Sequence, residues 1–176
     1  GASDSMLAAV TIEVGPENET PVATNDMFTV GEDAVLTVDA AGGLLANDSD
    51  ADGDAITPTI TLEPLHGSVV LNADGSFSYT PDADFNGLDG FSYLVSDGID
   101  SSEVASATIV VTPANDEPVG INDEYTTAED TPLAIAAPGV LVNDTDVDGD
   151  ALAAILVNPP QHGQLTLGAD GGVIYT

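Results

Sequence analysis

Gly67-Ser68-Val69-Val70-Leu71-Asn72-Ala73-Asp74-Gly75-Ser76-Phe77-Ser78-Tyr79-Thr80 decides the fold. Two short runs rich in β-branched and aromatic residues flank Asn72-Ala73-Asp74-Gly75. Asp-Gly supplies the positive φ that a tight hairpin turn needs, so the stretch predicts two antiparallel strands. Working outward, further runs of this kind lie at 26–30, 34–39, 55–62, 91–96 and 104–111, each bounded by Gly, Asn, Asp or Pro. Phe91-Ser92-Tyr93-Leu94-Val95 alternates as a half-buried strand does. No segment carries a convincing helical period. Seven short strands in under a hundred residues predict an all-β chain of immunoglobulin-like β-sandwiches.

The hairpin recurs. His66-Gly67, Asp74-Gly75 and Tyr79-Thr80 reappear 96 residues later as His162-Gly163, Asp170-Gly171 and Tyr175-Thr176. Earlier in the chain the offset is 97: Pro21-Val22, Asn25-Asp26 and Glu32-Asp33 return as Pro118-Val119, Asn122-Asp123 and Glu129-Asp130. Residues 9–14, Ala-Val-Thr-Ile-Glu-Val, align with 106–111, Ser-Ala-Thr-Ile-Val-Val. Self-similarity at such a period marks a tandem repeat. The expected organisation is a last strand of a preceding repeat plus linker at 1–20, a complete repeat at 21–117, and an incomplete repeat at 118–176. The open sheet edges this leaves would allow head-to-tail self-association, the strand at 7–14 of one molecule pairing with the incomplete sandwich of another; the bland alternative is that the incomplete repeat simply frays or packs loosely.

Each repeat carries one Asp-rich loop. Asn47-Asp48-Ser49-Asp50-Ala51-Asp52-Gly53-Asp54 matches Asn143-Asp144-Thr145-Asp146-Val147-Asp148-Gly149-Asp150. Carboxylates at every second position, with a Gly that permits a sharp turn, can converge on one hard cation. Ca2+ takes six to eight oxygens at about 2.3–2.6 Å. Without a cation the four charges repel one another at close range. The candidate ligands are therefore Asp48, Asp50, Asp52 and Asp54, and Asp144, Asp146, Asp148 and Asp150. Both loops begin like an EF-hand, but the twelfth position, which should be Glu, is Thr59 in one copy and Ile155 in the other. A solvated acidic turn is the bland alternative.

Charge fixes what else the chain can meet. It holds 31 Asp plus Glu and neither Lys nor Arg, a formal net charge of -31. No acidic side chain can pair with a basic one, so bound metal, solvent cations and backbone dipoles are the available counter-charges. Nucleic acid is excluded as a partner because neutralising phosphates needs Lys or Arg. Insertion into a membrane is not expected, since no apolar run approaches about 18 residues. Hydrophobic residues make up 43%, enough for a core. With no Cys there is no disulfide chemistry, which leaves metal as the obvious staple. His66 and His162 precede Gly in equivalent positions and read as turn or packing residues. No nucleophile–base pair, His cluster or anion hole is legible, so the chain reads as a non-enzyme.

The ordered set of Pro-Val-x-x-Asn-Asp, Glu-Asp, Asn-Asp-x-Asp-x-Asp-Gly-Asp, His-Gly, Asn-Ala-Asp-Gly-Ser-Phe-Ser-Tyr-Thr-Pro and Phe-Asn-Gly-x-Asp-x-Phe-x-Tyr-x-Val-Ser-Asp-Gly resembles the bacterial cadherin-like tandem repeats of very large surface and RTX-type adhesins. The resemblance spans essentially the whole chain. It implies a cadherin-like sandwich, calcium at or near domain junctions, and an extender or adhesive role outside the cell, with neighbouring repeats of the same chain as partners. It also implies that Asn115, Asp116, Asp26 and Asp123 complete a junction site, with Glu32 and Glu129 as the Glu that true cadherins use. The competing reading of the Asn-Asp pairs is an Asx-turn. A calcium-dependent glycan-binding module remains the alternative to a spacer.

Overall fold

A computed structural model describes residues 11–13, 15 and 17–176. The strand expected at 7–14 lies outside the described residues except at 11–13, which are exposed and in no strand. The chain divides into two compact units, 1–113 and 114–176. No α-helix occurs among the described residues, and no helix is long and apolar enough to cross a membrane.

The first unit contains β1 (Asp26–Gly31), β2 (Leu36–Val38), β3 (Thr57–Leu62), β4 (Gly67–Leu71), β5 (Phe77–Pro81), β6 (Gly87–Ser96) and β7 (Ala105–Thr112). One sheet runs β1-β7-β6-β3 and the other β2-β5-β4. All pairings are antiparallel except β1 with β7, which is parallel. The alternation seen in the sequence becomes the core. Phe77 and Tyr79 of β5 meet Phe91, Tyr93 and Val95 of β6 and Ala105, Ala107, Ile109 and Val111 of β7. Phe77 packs edge-on against both Phe28 and Phe91, with ring centroids 4.9 and 5.6 Å apart, a geometry that suits the ring quadrupoles.

The hairpin that fixes the fold forms as a three-residue loop. Asn72 N–H donates to the Ser76 carbonyl at 2.9 Å and Gly75 N–H to the Asn72 carbonyl at 3.1 Å. Only Gly75 of the Asp-Gly pair takes positive φ, at 83°. Asp74 instead accepts the N–H and hydroxyl of Ser76. The His-Gly motif has a steric reason. A Cβ at Gly67 would lie 2.6 Å from the Thr80 carbonyl oxygen and 2.7 Å from the Tyr79 ring, and one at Gly163 would meet Thr176 and Tyr175 at the same distances. Gly67→Ala should therefore destabilise the first unit by about 1–3 kcal/mol. Thermal unfolding measures this; an unchanged midpoint would show that the β4–β5 contact gives way freely. His66 stacks on Phe85 at 4.2 Å, the packing role expected of it.

The second unit holds β8 (Leu133–Ile135), β9 (Leu165–Leu167) and β10 (Val173–Tyr175) in one sheet, ordered β8-β10-β9. These match β2, β4 and β5 at the repeat offset. Residues 121–128 and 151–157, the counterparts of β1 and β3, form no strand. In the first unit β1 is held by β7 and β3 by β6. The described residues of the second unit include no counterpart of either, and a strand needs a partner for its backbone groups.

Candidate metal centre

The first Asp loop is held by its own carboxylates and by the segment that leads into β1. Val22 and Ser49 exchange backbone hydrogen bonds at 2.8 and 3.1 Å. Thr24 N–H donates to Asp48 Oδ1 at 2.7 Å. Asp50 Oδ1 accepts the N–H groups of Asp52 and Asp54 at 3.0 and 3.2 Å, folding the loop around one side chain. Gly53 sits at φ 81°, the turn that its place in the motif predicts. Glu19 N–H donates to Asp52 Oδ2 at 2.6 Å. The arrangement brings carboxylate oxygens of Asp50, Asp52 and Asp54 within 4.8 Å of one another.

The second loop repeats most of these bonds within its own unit. Val119 and Thr145 pair as Val22 and Ser49 do. Ile121 N–H donates to Asp144 Oδ1 at 2.7 Å, Asp150 N–H to Asp146 Oδ1 at 3.0 Å, and Asp116 N–H to Asp148 Oδ2 at 2.7 Å. Gly149 sits at φ 78°. A groove lined by Asn115, Asp116, Asp144, Asp146 and Asp150 results. Asn115 Nδ2 donates to the Asp116 carbonyl at 2.8 Å. Asp123 accepts the Tyr125 hydroxyl at 3.2 Å. Glu129 is exposed.

Asp26 and Glu32 flank the two ends of β1, six residues and roughly 20 Å apart. Asp26 belongs to the loop's end of the unit. Glu32 lies where β7 ends: its N–H donates to the Thr112 carbonyl at 3.1 Å, and its carboxylate accepts Asn86 Nδ2 at 3.0 Å.

Three participants go beyond the sequence reading. Tyr93, marked only as core by its alternation, is fully buried and places its hydroxyl 2.8 Å from Asp26 Oδ2 and 3.4 Å from Asp48 Oδ1. Asp97 accepts the N–H groups of Ile99 and Asp100 at 2.7 Å. It and Asp100 also accept Asn18 Nδ2, at 3.0 and 3.1 Å. Residues 18 and 19 thus join two acidic loops at one end of the unit. Only proximity in the fold reveals this, because Asp97 and Asp52 are 45 positions apart in the chain.

Charge separates this end from an ordinary buried carboxylate. Asp89, near the other end of the core, accepts Leu65 N–H, His66 N–H and the Tyr79 hydroxyl at 3.0, 3.0 and 2.7 Å. Burial pushes its pKa up, but these donors outweigh burial and leave it below the ordinary carboxylate value. Such a group stabilises the fold above the unfolded pKa and loses that contribution as pH falls. Asp26 and Asp48 behave in the opposite way. Burial pushes both up, Asp48 pushes Asp26 further, and the Tyr93 hydroxyl offsets this only in part. Their ionised forms cost the fold stability above the ordinary carboxylate pKa, and acid relieves the cost. Asp48 Oδ2 and Asp50 Oδ2 are buried without a hydrogen-bond partner. Buried carboxylate oxygens without a donor fit a hard cation, which satisfies what the protein's own donors leave unmet.

The family model of the bacterial cadherin-like domain matches residues 18–113 and 115–176. Among curated proteins none matches the sequence. A solved structure of extracellular cadherin domains 3–6 of protocadherin gamma B2 is 16% identical, over 89% of this chain and 38% of its own, with a TM-score of 0.51. That likeness agrees with the cadherin-like sandwich. An endo-fucoidan hydrolase of glycoside hydrolase family 107 is 21% identical over 93% of this chain and 25% of its own, with a TM-score of 0.46. A second is 24% identical over 56% of this chain and 17% of its own, with a TM-score of 0.36. The chain thus spans a quarter or less of these hydrolases. They correct the expectation of a non-enzyme. The lack of a legible nucleophile and base here does not exclude an enzyme of which these residues form a part.

Proposed function

The chain belongs to the bacterial cadherin-like domains, and from that premise we propose that it is a calcium-binding, calcium-rigidified extender or adhesion module of a large extracellular bacterial surface protein. The observation that carries the reading is the pair of buried, partnerless oxygens on Asp48 and Asp50, the latter one of three converging carboxylates. In the first unit Asp48, Asp50, Asp52 and Asp54 would hold the cation, with Asp26 alongside. Asp144, Asp146, Asp148 and Asp150 would do so in the second. Calcium would supply the positive charge that a chain without Lys or Arg lacks.

The mechanism is mechanical. The segment that enters each unit is already tied to the Asp loop, through Glu19 N–H to Asp52 and Asp116 N–H to Asp148. A cation neutralising those carboxylates removes their mutual repulsion and fixes the course of the entering segment. In a tandem array that stiffening, repeated along the chain, makes an extended spacer. The recurrence of the same backbone bonds at both loops supports the reading. Isothermal titration with Ca2+ tests it. Asp50→Ala with Asp52→Ala should remove one equivalent of bound calcium. His66→Ala should leave the affinity unchanged. Equal stoichiometry in the double variant and the unmodified chain would rule out the first loop as the site.

A further inference from the structure

We propose that Tyr93 is a positioning residue that couples cation binding in the first Asp loop to the sandwich core. The proposal rests on the calcium reading above and deepens it. Tyr93 stands on β6 between Phe91 and Val95, all three buried in the core, and β6 pairs with β3 and β7 on its two sides. The ring is therefore held on a rigid element. Its hydroxyl has one proton and three acceptors in reach: the Thr24 carbonyl at 2.9 Å, Asp26 Oδ2 at 2.8 Å and Asp48 Oδ1 at 3.4 Å. Thr24 in turn donates its N–H to the same Asp48 oxygen. One hydroxyl thus ties the strand that begins the repeat and the loop that carries the ligands to the centre of the core. Asp48 is left with Oδ1 engaged by protein donors and Oδ2 without a partner. Tyr93 orients that carboxylate so that its second oxygen is presented for a cation.

The molecule supplies a comparison. Tyr79 is also fully buried and also donates to a carboxylate, Asp89, but that carboxylate has enough donors and lies away from the Asp loop.

Tyr93→Phe and Tyr79→Phe form a matched pair, each removing one oxygen from a fully buried ring beside a carboxylate. The chain has four Tyr and no Trp, so its near-ultraviolet absorption reports tyrosine hydrogen bonding without Trp interference. Calcium titration of the full chain is followed by calorimetry and by the tyrosine difference spectrum. Tyr93→Phe should weaken the calcium site of the first loop, the one that Asp50→Ala with Asp52→Ala removes, about tenfold, the size expected of a hydrogen bond to a charged group, and should abolish the part of the difference spectrum that saturates with that site. Tyr79→Phe should lower the melting temperature while keeping calcium affinity within about twofold. A Tyr93→Phe chain with unchanged affinity and spectrum would overturn the coupling. So would a Tyr79→Phe chain weakened to the same extent. If the unmodified chain takes up no calcium, the site itself fails and the coupling with it.

Discussion

Ten millimolar calcium raises the melting temperature of the metal-free first unit by roughly 6–16 °C. Extracellular calcium modules have dissociation constants of about 10⁻⁴–10⁻³ M. At 10 mM ligand, mass action then stabilises the folded state by about 1.4–2.7 kcal/mol per site. In a domain of roughly a hundred residues, each kcal/mol moves the midpoint by about 4–6 °C. The effect has a structural source. Burial raises the pKa of both Asp26 and Asp48, and the Asp48 charge raises that of Asp26 further; a divalent ion removes the cost of ionising them. Because acid also relieves it, the calcium increment should shrink as pH falls toward the carboxylate range. Differential scanning calorimetry in calcium and in EDTA measures both trends. Identical midpoints in the two buffers at pH 7 would remove the loops from any structural role.

Phe77→Ala lowers stability by about 3–5 kcal/mol. Phe77 is 2% exposed and is the ring on which Phe28 and Phe91 both stand edge-on, so it joins β5 to β1 and β6 across the sandwich. Its removal leaves a cavity among rigid aromatic neighbours that cannot close around it. At about 4 °C per kcal/mol the midpoint falls by roughly 12–20 °C. Thr37→Ala, on an exposed position of β2, should change stability by less than about 0.5 kcal/mol. Chemical denaturation of the three chains decides this. A Phe77→Ala midpoint within error of the unmodified chain would place the core elsewhere.

The strands were legible because alternation survives folding: Phe91, Tyr93 and Val95 point inward as their spacing says. The start of β6 was not. Gly87 and Gly90 look like loop residues, yet they pair with Val111 and Thr108, and a side chain at Gly90 would run into the Ala107 carbonyl. The parallel pairing of β1 with β7 was equally hidden, since periodicity marks a buried face but not the partner strand. At the site, the convergence of Asp50, Asp52 and Asp54 could be read directly because a local loop brings them together. Tyr93, Asp97 and Asp100 could not, because tertiary structure alone carries β6 and its following loop to the segment at Asn18 and Thr24. The same holds for the orphaned oxygens: sequence places the carboxyl groups, but only packing decides which of their atoms lose water.

The most direct test is a crystal structure of the chain grown with millimolar calcium, with anomalous density used to identify the ion. The account predicts a calcium ion in the first loop within about 2.3–2.6 Å of Asp48 Oδ2 and Asp50 Oδ2, with Asp52 or Asp54 completing its shell. Water alone at both oxygens, with no anomalous peak in the loop, would contradict it.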